Sequence, residues 1–303
     1  MELQATFRRR IIDVYGEEGR HWLDALPQTI DACSRRWRLR LEPPFHLSYN
    51  YAAPALRDDG TAVVLKIGVP GVENASEIAA LRHFAGIGSV LLLDADPANG
   101  AMLLERADPG EPLMEGYGAL TITDPEATLI AAGVMRALWK STPAAHAFPT
   151  AGDWAAQLLA AAPEAAGPLP PRLVTEAQRL YVDLLASSAP PVLLHGDLHH
   201  GNILRHGEGW IAIDPKGVIG EPAYECGPLL FNPLPDVASW PDLPRVLGRR
   251  VDILADALGF ERERIIGWGI ARAVLSAVWS YEGHGSGWEP AIAIAEALEA
   301  ISS

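Results

Sequence analysis

Cysteine and long apolar segments are both scarce in this sequence. Its two cysteines, Cys33 and Cys226, lie far apart and have no metal-ligand spacing, so we expect free thiols in a reducing compartment. No apolar run approaches the length of about 18 residues that a membrane span requires. No apolar signal-peptide segment follows Arg8, Arg9 and Arg10. The sequence therefore predicts a cytoplasmic protein with no membrane partner.

Positive charge is scarce as well. The chain has 24 lysine and arginine residues against 38 aspartate and glutamate residues, a formal net charge of -14. Nucleic-acid binding needs Lys and Arg for phosphate contacts, so this balance argues against a nucleic-acid partner. It suits a cationic small molecule, although many cytosolic proteins are acidic without binding one. With 303 residues, 49% of them apolar, a globular chain of one or two domains is expected, as a monomer or a homodimer.

Several familiar catalytic motifs are missing. The chain has no G-x-S-x-G elbow, which argues against a Ser-His-Asp hydrolase. The run from His195 to His200 reads H-x-D-x-H-H and not H-E-x-x-H, and Gly196 and Gly201 would break a metal-binding helix. A zinc site is therefore disfavoured. We expect His195 to pack under its loop and to fix backbone groups there.

The chemistry that is present concentrates in residues 192–204 and 210–217. Each stretch has an apolar run typical of a short buried strand, with polar groups at its end. Asp197 and Asn202 are separated by four residues, and Asp214 follows Asn202 by 12 positions. That order fits phosphoryl transfer, in which one carboxylate takes the hydroxyl proton while an amide and a second carboxylate hold metal over the phosphates.

This stretch resembles the H-R-D-x-x-x-x-N loop of protein kinases, with Gly196 in place of Arg. His-Gly-Asp in that place is the form found in aminoglycoside phosphotransferases, which also lack the full G-x-G-x-x-G pattern. Residues 214–225 are similar to the I-D-P-x-x-x-x-G-[DE]-P-x-[YF]-[DE] stretch of the streptomycin 6-kinase and hydroxyurea kinase branch. Residues 92–96 and 103–106 match that branch too.

The resemblance implies an α+β, two-lobed, protein-kinase-like fold. Residues 1–107 would form a small antiparallel-sheet N-lobe that binds nucleotide and has a helical N-terminal extension. Residues 108–303 would form a larger, mainly helical C-lobe for catalysis and acceptor binding. Hydrophobic periodicity predicts strands at 45–56, 61–67, 89–93 and 101–104. It predicts helices at 7–15, 19–41, 74–84, 124–139, 150–161, 171–187, 246–258, 261–281 and 289–301. Pro27 is expected to split or kink the second helix, and a linker-like break is expected at 109–112.

Lys66 ends an apolar strand, where an unpaired lysine is costly to bury. The alternative is an edge-strand lysine that reaches solvent. By resemblance, Lys66 holds the α- and β-phosphates of ATP and Glu77 pairs with it. Glu73 is a competing partner, and either glutamate could instead be a solvated carboxylate at a helix N-terminus.

Two further nucleotide contacts follow from the resemblance alone. Glu105 and Ala107 would lie in the hinge whose backbone groups bind the adenine edge. This chain departs from protein kinases in the first hairpin, which has no glycine before Gly60; there Ser48 and Asn50 are candidates to supply hydroxyl and amide donors to phosphate.

Carboxylates pair well with the guanidinium groups of streptomycin. The candidates for such an acceptor pocket are Glu221, Glu225, Asp236 and Glu282. For each of them the alternative is a solvated or structural carboxylate. Trp240, Trp268, Trp279 and Trp288 are candidates for aromatic walls, and core packing is the alternative for those on helices.

The resemblance thus implies an ATP- and Mg²⁺-dependent antibiotic-resistance kinase that phosphorylates an aminoglycoside, with the 6-hydroxyl of streptomycin as the leading acceptor. Asp197 would be the catalytic residue, and Asn202 and Asp214 the metal ligands. One alternative acceptor is hydroxyurea or another small hydroxylated metabolite. The other alternative is a catalytically inactive nucleotide-binding module, against which the intact set of site residues argues.

Overall fold

The computed structural model describes residues 3–119, 121–143, 147–162, 167–233 and 236–302. The chain divides into two compact units, Met1–Asp108 and Pro109–Ser303. Cys33 and Cys226 are both buried free thiols, as expected. None of the helices within the described ranges has the length and hydropathy that a bilayer span demands.

The first unit is built on an antiparallel five-stranded sheet, as predicted. Its strand order is β1-β2-β3-β5-β4, and β1 occupies residues for which helix was expected. The elements of this unit are α1 (Ala5–Trp37), β1 (Leu39–Leu41), β2 (Tyr51–Arg57), β3 (Ala62–Ile67), α2 (Val72–Phe84), β4 (Leu92–Asp96) and β5 (Ala101–Glu105).

The long helix α1 breaks at Gly16 and continues through Pro27, so of the predicted split or kink at Pro27 the split was wrong. Gly16 has φ 56° and ψ -127°, a conformation that glycine adopts without a Cβ penalty. On either side of Pro27, Leu23, Leu26 and Ile30 are buried in the core of this unit. Their packing outweighs the local cost of proline in the helix.

The second unit is mainly helical, again as predicted. The break predicted at 109–112 lies where this unit begins, but its residues form a strand that pairs antiparallel with residues 204–206. The elements are β6 (Pro109–Pro112), α3 (Leu113–Gly118), α4 (Asp124–Leu138), β7 (Lys140–Ser141), α5 (Ala151–Ala160), α6 (Pro171–Ala186), β8 (Val192–Leu194), β9 (Ile203–His206), β10 (Gly209–Ala212), β11 (Val218–Gly220), α7 (Cys226–Leu230), α8 (Leu243–Leu258), α9 (Arg262–His284) and α10 (Glu289–Ser302).

Helix α9 is the centre of this unit and packs against α6, α7 and α10. Its Trp268 is fully buried. The indole lies edge-on to Tyr181 and Tyr224, with ring centroids 5.5 and 5.0 Å apart. Core packing is therefore the role of Trp268, and aromatic pairs of this geometry add to the burial energy.

Two small antiparallel sheets position the polar loops of the second unit. One has the order β10-β9-β6 and the other β11-β8-β7. The chain leaves β8 for β9 and returns from β10 to β11. The two connections between the sheets are residues 195–202 and residues 213–217. We name them the catalytic loop and the metal loop after the roles that the sequence predicts for Asp197 and Asp214.

Candidate active site

Backbone hydrogen bonds join the catalytic loop to the metal loop. The carbonyl of His195 accepts from Lys216 N at 2.8 Å and from Gly217 N at 3.2 Å. At the other end, Ile213 N donates to the carbonyl of Asn202 at 2.9 Å. These bonds hold the loops side by side, so Asp197, Asn202 and Asp214 lie on adjoining segments of backbone.

Asn202 and Asp214 carry the oxygen ligands that Mg²⁺ prefers. Asn202 Nδ2 donates to the carbonyl of Asp197 at 3.0 Å, which leaves the amide oxygen for another partner. Asp214 is half-buried and has φ 61°, a left-handed conformation that is rare for non-glycine residues and often marks a functional site. The donor set therefore fits a hard divalent cation.

Asp197 is the accessible carboxylate of the catalytic loop. Its side chain is 36% exposed, and His199 Nε2 lies 4.0 Å from its Oδ1. Its backbone is fixed at both ends, by the bond from Asn202 and by its own N–H, which donates to His195 Nδ1 at 3.2 Å. A fixed backbone with an accessible carboxylate suits the orientation of an acceptor hydroxyl.

His195 is a buried structural residue, as predicted. Its Nε2 bonds to the carbonyl of Ile213 at 2.8 Å, and its Nδ1 accepts from Asp197 N. Burial lowers the pKa of His195 to about 4, so the ring is neutral at physiological pH. The two bonds require the proton on Nε2, which makes this ring a bridge between the two loops.

Glu225 holds the catalytic loop from beneath. Its Oε2 accepts from His195 N at 2.6 Å and its Oε1 from Gly196 N at 2.9 Å. The side chain is fully buried. Both oxygens serve this chain's own backbone, so Glu225 is a positioning residue and does not line the acceptor pocket that the sequence suggested.

Glu221 also differs from its expected place in an acceptor pocket. It is 2% exposed and accepts hydrogen bonds from Arg264 Nε at 2.8 and 3.0 Å, from Ala189 N at 3.0 Å and from Trp268 Nε1. A carboxylate with this many internal donors is a structural group. Of the four predicted carboxylates, Asp236 and Glu282 are the exposed ones.

Arg272 is a functional residue that the sequence analysis missed. It is 3% exposed and donates from Nη2 to the carbonyl of Gly196 at 3.2 Å. Its guanidinium carbon lies 4.9 to 5.4 Å from the ring centroids of Tyr224, Trp154 and Trp279, where cation–π attraction offsets desolvation. The signal was available, since Arg272 is the one charged residue in the apolar run 265–278.

In the first unit, Lys66 and Glu77 form the expected ion pair. Lys66 Nζ lies 2.5 Å from Glu77 Oε1, and the two residues are 3% and 9% exposed. Taking both charges out of water costs several kcal/mol per ion. The competing candidate, Glu73, is exposed in the first turn of α2.

The remaining predicted nucleotide contacts lie in the same unit. Ser48 is exposed in a bend before β2. Glu105, at the end of β5, accepts from Leu91 N at 3.0 Å and donates its own N–H to the carbonyl of Leu91 at 2.9 Å. Ala107 is 8% exposed. The carbonyl of Glu105 and the N–H of Ala107 lie at the end of β5, which is the place where the hinge was expected.

The first testable prediction concerns Glu225 and pH. Burial raises the pKa of Glu225 from 4.5 to about 7, although the N–H groups of Gly196 and His195 and the charge of Arg272 favour the ionised form. Only the ionised carboxylate accepts both N–H groups, so turnover should fall by about tenfold per pH unit below pH 7. A pH profile of kcat checks this, and Glu225→Gln should give low turnover with no acid limb from this group.

Protonation of Glu225 should lower turnover but increase the stability of the fold. Because the folded pKa lies above the unfolded value, the protonated form stabilises the fold fully below pH 4.5, and this contribution is lost as pH rises through about 7. Glu263→Gln, at an exposed site in the first turn of α9, is the matched control. An acid limb that persists unchanged in Glu225→Gln would assign it to another group.

The sequence is similar to proteins of known activity. Residues 48–283 match the family model described as aminoglycoside/hydroxyurea antibiotic resistance kinase. The chain is 34% identical to a streptomycin 6-kinase of Streptomyces glaucescens, over 98% of this chain and 95% of that protein. It is 35% identical to a hydroxyurea phosphotransferase of Kitasatospora aureofaciens, over 93% of this chain and 82% of that protein.

A solved structure shows the same fold at low identity. The amicoumacin kinase hAmiN, in complex with AMP-PNP, Ca²⁺ and Ami, superposes with a TM-score of 0.58. The similarity covers 95% of this chain and 96% of that chain at 14% identity. The kinase-like fold predicted from the sequence is thereby confirmed.

Proposed function

The chain belongs to the aminoglycoside/hydroxyurea antibiotic resistance kinase family, and from that premise we propose that it transfers the γ-phosphoryl group of ATP to the 6-hydroxyl of streptomycin. The observation that carries the chemistry is the pair of adjoining loops with Asp197 on one and Asp214 on the other, joined by three backbone hydrogen bonds. The acceptor is proposed from the similarity to streptomycin 6-kinase, which extends over nearly the whole chain.

In the proposed reaction Asp197 orients the acceptor hydroxyl. A bond forms between the hydroxyl oxygen and the γ-phosphorus of ATP, the bond from that phosphorus to the β,γ-bridging oxygen breaks, and ADP leaves. The hydroxyl proton passes to the Asp197 carboxylate. A carboxylate is a weak base toward an alcohol, so proton transfer is late and positioning supplies most of the rate enhancement.

Asn202 and Asp214 would hold Mg²⁺, since an amide oxygen and a carboxylate suffice beside phosphate oxygens and water. The ion would neutralise charge on the phosphates. The chain's own contribution is to fix both ligands, Asn202 through its bond to the carbonyl of Asp197 and Asp214 through the metal loop.

The ion pair in the first unit supports the nucleotide assignment. We assign Lys66 to the phosphates of ATP, with Glu77 holding its ammonium group in place. A buried pair contributes little to stability, so retention of both charges favours a binding role. The hydroxyl of Ser48 and the backbone at Glu105 and Ala107 are assigned to the same nucleotide.

Hydroxyurea is the second candidate acceptor, because a hydroxyurea phosphotransferase is as similar in sequence as the streptomycin kinase. The chemistry at Asp197 would be the same for either hydroxyl. A catalytically inactive nucleotide-binding module is disfavoured, since such a module has no need of Asp197 held in position by Asn202 and His195.

A direct assay tests the proposal. We expect ATP- and Mg²⁺-dependent release of ADP with streptomycin, at a kcat/KM at least about tenfold above that for hydroxyurea. Mass spectrometry and NMR of the product would locate the phosphate on the 6-hydroxyl. ADP release with hydroxyurea alone would replace the first candidate with the second.

The metal assignment has its own control. Asp214→Ala should lose Mg²⁺-dependent ATP binding in isothermal titration calorimetry. Asp252→Ala, at an exposed carboxylate that pairs with Arg262, should bind as the parent does. Undiminished Mg²⁺-dependent binding by Asp214→Ala would contradict the assignment.

A further inference from the structure

Helices α5 and α9 present matching pairs of side chains on one exposed face. Trp154 on α5 is followed one turn later by Gln157, and Trp279 on α9 is followed one turn later by Glu282. The two indoles meet edge to face, with centroids 5.6 Å apart and an interplanar angle of 79°. Gln157 Nε2 donates to Glu282 Oε1 at 2.7 Å, so the two pairs form one continuous surface.

This surface adjoins the catalytic loop. A methyl group built on Gly196 would lie 2.8 Å from Trp154 Cη2, so the edge of that indole touches the residue before Asp197. Trp154 is half-buried and Trp279 is 39% exposed. A large aromatic surface left partly open beside the catalytic loop is suited to bind the acceptor.

We propose that Trp154, Trp279 and Glu282 form the acceptor subsite, and that it takes a saturated ring bearing cationic groups. This inference rests on the proposed function, because it names the ligand contacts of the same site. The indoles would pack against the C–H face of the ring, and Glu282 would pair with a cationic substituent through Oε2, the oxygen that Gln157 leaves open.

The position of Arg272 explains why the indoles would contact the uncharged ring face and Glu282 the cationic substituent. Its guanidinium lies within 5.4 Å of the centroids of both indoles, so one electron-rich face of each ring already holds a cation, whose charge repels a second one. A second cation gains little from those rings, whereas an uncharged C–H face packs on them well. The cationic substituent therefore goes to Glu282, where a charge-assisted hydrogen bond is available.

The subsite favours streptomycin over hydroxyurea as substrate. A cyclitol with guanidinium groups supplies both the ring face and the charge. Hydroxyurea has neither a ring nor a positive charge, so it would contact neither the indoles nor the carboxylate strongly. Substitutions in the subsite should accordingly change streptomycin use and leave hydroxyurea use unaffected.

Steady-state kinetics with streptomycin, hydroxyurea and ATP test this. We expect Trp279→Leu and Glu282→Gln each to raise the KM for streptomycin about tenfold. The KM for ATP and any turnover of hydroxyurea should stay within about twofold of the parent. The parent's KM for streptomycin should also rise with ionic strength, and that dependence should weaken in Glu282→Gln.

Trp139→Leu is the matched control, because Trp139 is a half-buried indole in an aromatic pair with Phe260, 5.7 Å away. It should leave the KM for streptomycin unchanged. If the parent phosphorylates streptomycin and both subsite variants keep its KM, the subsite is refuted and the proposed function stands. If the parent instead accepts another ring-bearing cation whose KM the variants raise, the subsite holds and streptomycin is withdrawn. Turnover of hydroxyurea alone, or of no acceptor, overturns both.

Discussion

Asp197→Asn is expected to lower kcat by about 10²- to 10⁴-fold, the range that a positioned general base contributes. The substitution keeps the size of the side chain and removes its capacity to accept the hydroxyl proton. The KM for ATP should change little, because the nucleotide contacts are assigned to other residues. Steady-state kinetics with saturating ATP and acceptor provide the measurement.

The fold should survive this substitution, which makes the loss of rate interpretable. Asp197 is held through its backbone N–H and carbonyl, by His195 and Asn202, and neither bond involves the carboxylate. Asp183→Asn is the control, since its carboxylate is 58% exposed and pairs with Arg179. Turnover by Asp197→Asn within about tenfold of the parent would remove Asp197 from the role of base.

Local patterns in the sequence predicted much of the fold and the two segments that carry the candidate site residues. The strands predicted at 45–56 and 61–67 correspond to the antiparallel pair β2 and β3. The spacing of Asp197, Asn202 and Asp214 identified two loops, and the backbone bonds between those loops bring the three residues together. Such features are encoded within about 20 residues, so periodicity and turn chemistry reveal them.

The supports of the site could not be predicted in the same way. Glu225 and Gly196 are 29 residues apart, and Arg272 and Gly196 are 76 residues apart. Such pairings depend on how helices pack, which hydrophobic periodicity does not specify. The sequence therefore presented Glu225 as one more acidic residue near a site, and only its burial and its two backbone donors distinguish it from an acceptor ligand.

The other misjudged positions have tertiary causes as well. The helix of the first unit passes through Pro27 because apolar packing on both sides holds it. The cap of α4 is Thr123, which exchanges hydrogen bonds with Glu126 in a capping box, although the neighbouring Asp124 is also of a residue type that favours caps. Asp124 instead accepts from Arg249 and Arg250 at 2.9 and 2.7 Å. Long-range ion pairs thus fix the side chain of Asp124, although its local sequence would also allow it to cap the helix.

Gly196→Ala is expected to damage both stability and turnover. Gly196 has φ 84°, a left-handed conformation that costs a residue with a Cβ about 1–2 kcal/mol. The added methyl would lie 2.8 Å from Trp154 Cη2 and 3.0 Å from Val218 Cγ1, and overpacking of this kind costs about 1–3 kcal/mol. We expect the free energy of unfolding to fall by about 2–5 kcal/mol.

Turnover should fall by about 100-fold, because displacement of the loop by the added methyl moves Asp197, and misplacement by about 1 Å costs that much. Denaturant unfolding and kcat measure the two effects. Gly133→Ala is the control, since nothing lies within 4 Å of a methyl group there. That change should stabilise α4 by about 0.5–1 kcal/mol and leave kcat unaltered.

A double-mutant cycle separates the two causes of the Gly196→Ala loss. Trp154→Leu removes the indole edge that the new methyl meets, and it leaves φ at residue 196 unchanged. Gly196→Ala should therefore cost less unfolding free energy in the Trp154→Leu background than in the parent. The difference should be at most the steric part, about 1–3 kcal/mol, while the conformational part remains. If the two losses simply add, contact with Trp154 plays no part in the requirement for glycine, and the conformation at Gly196 and the contact with Val218 account for it.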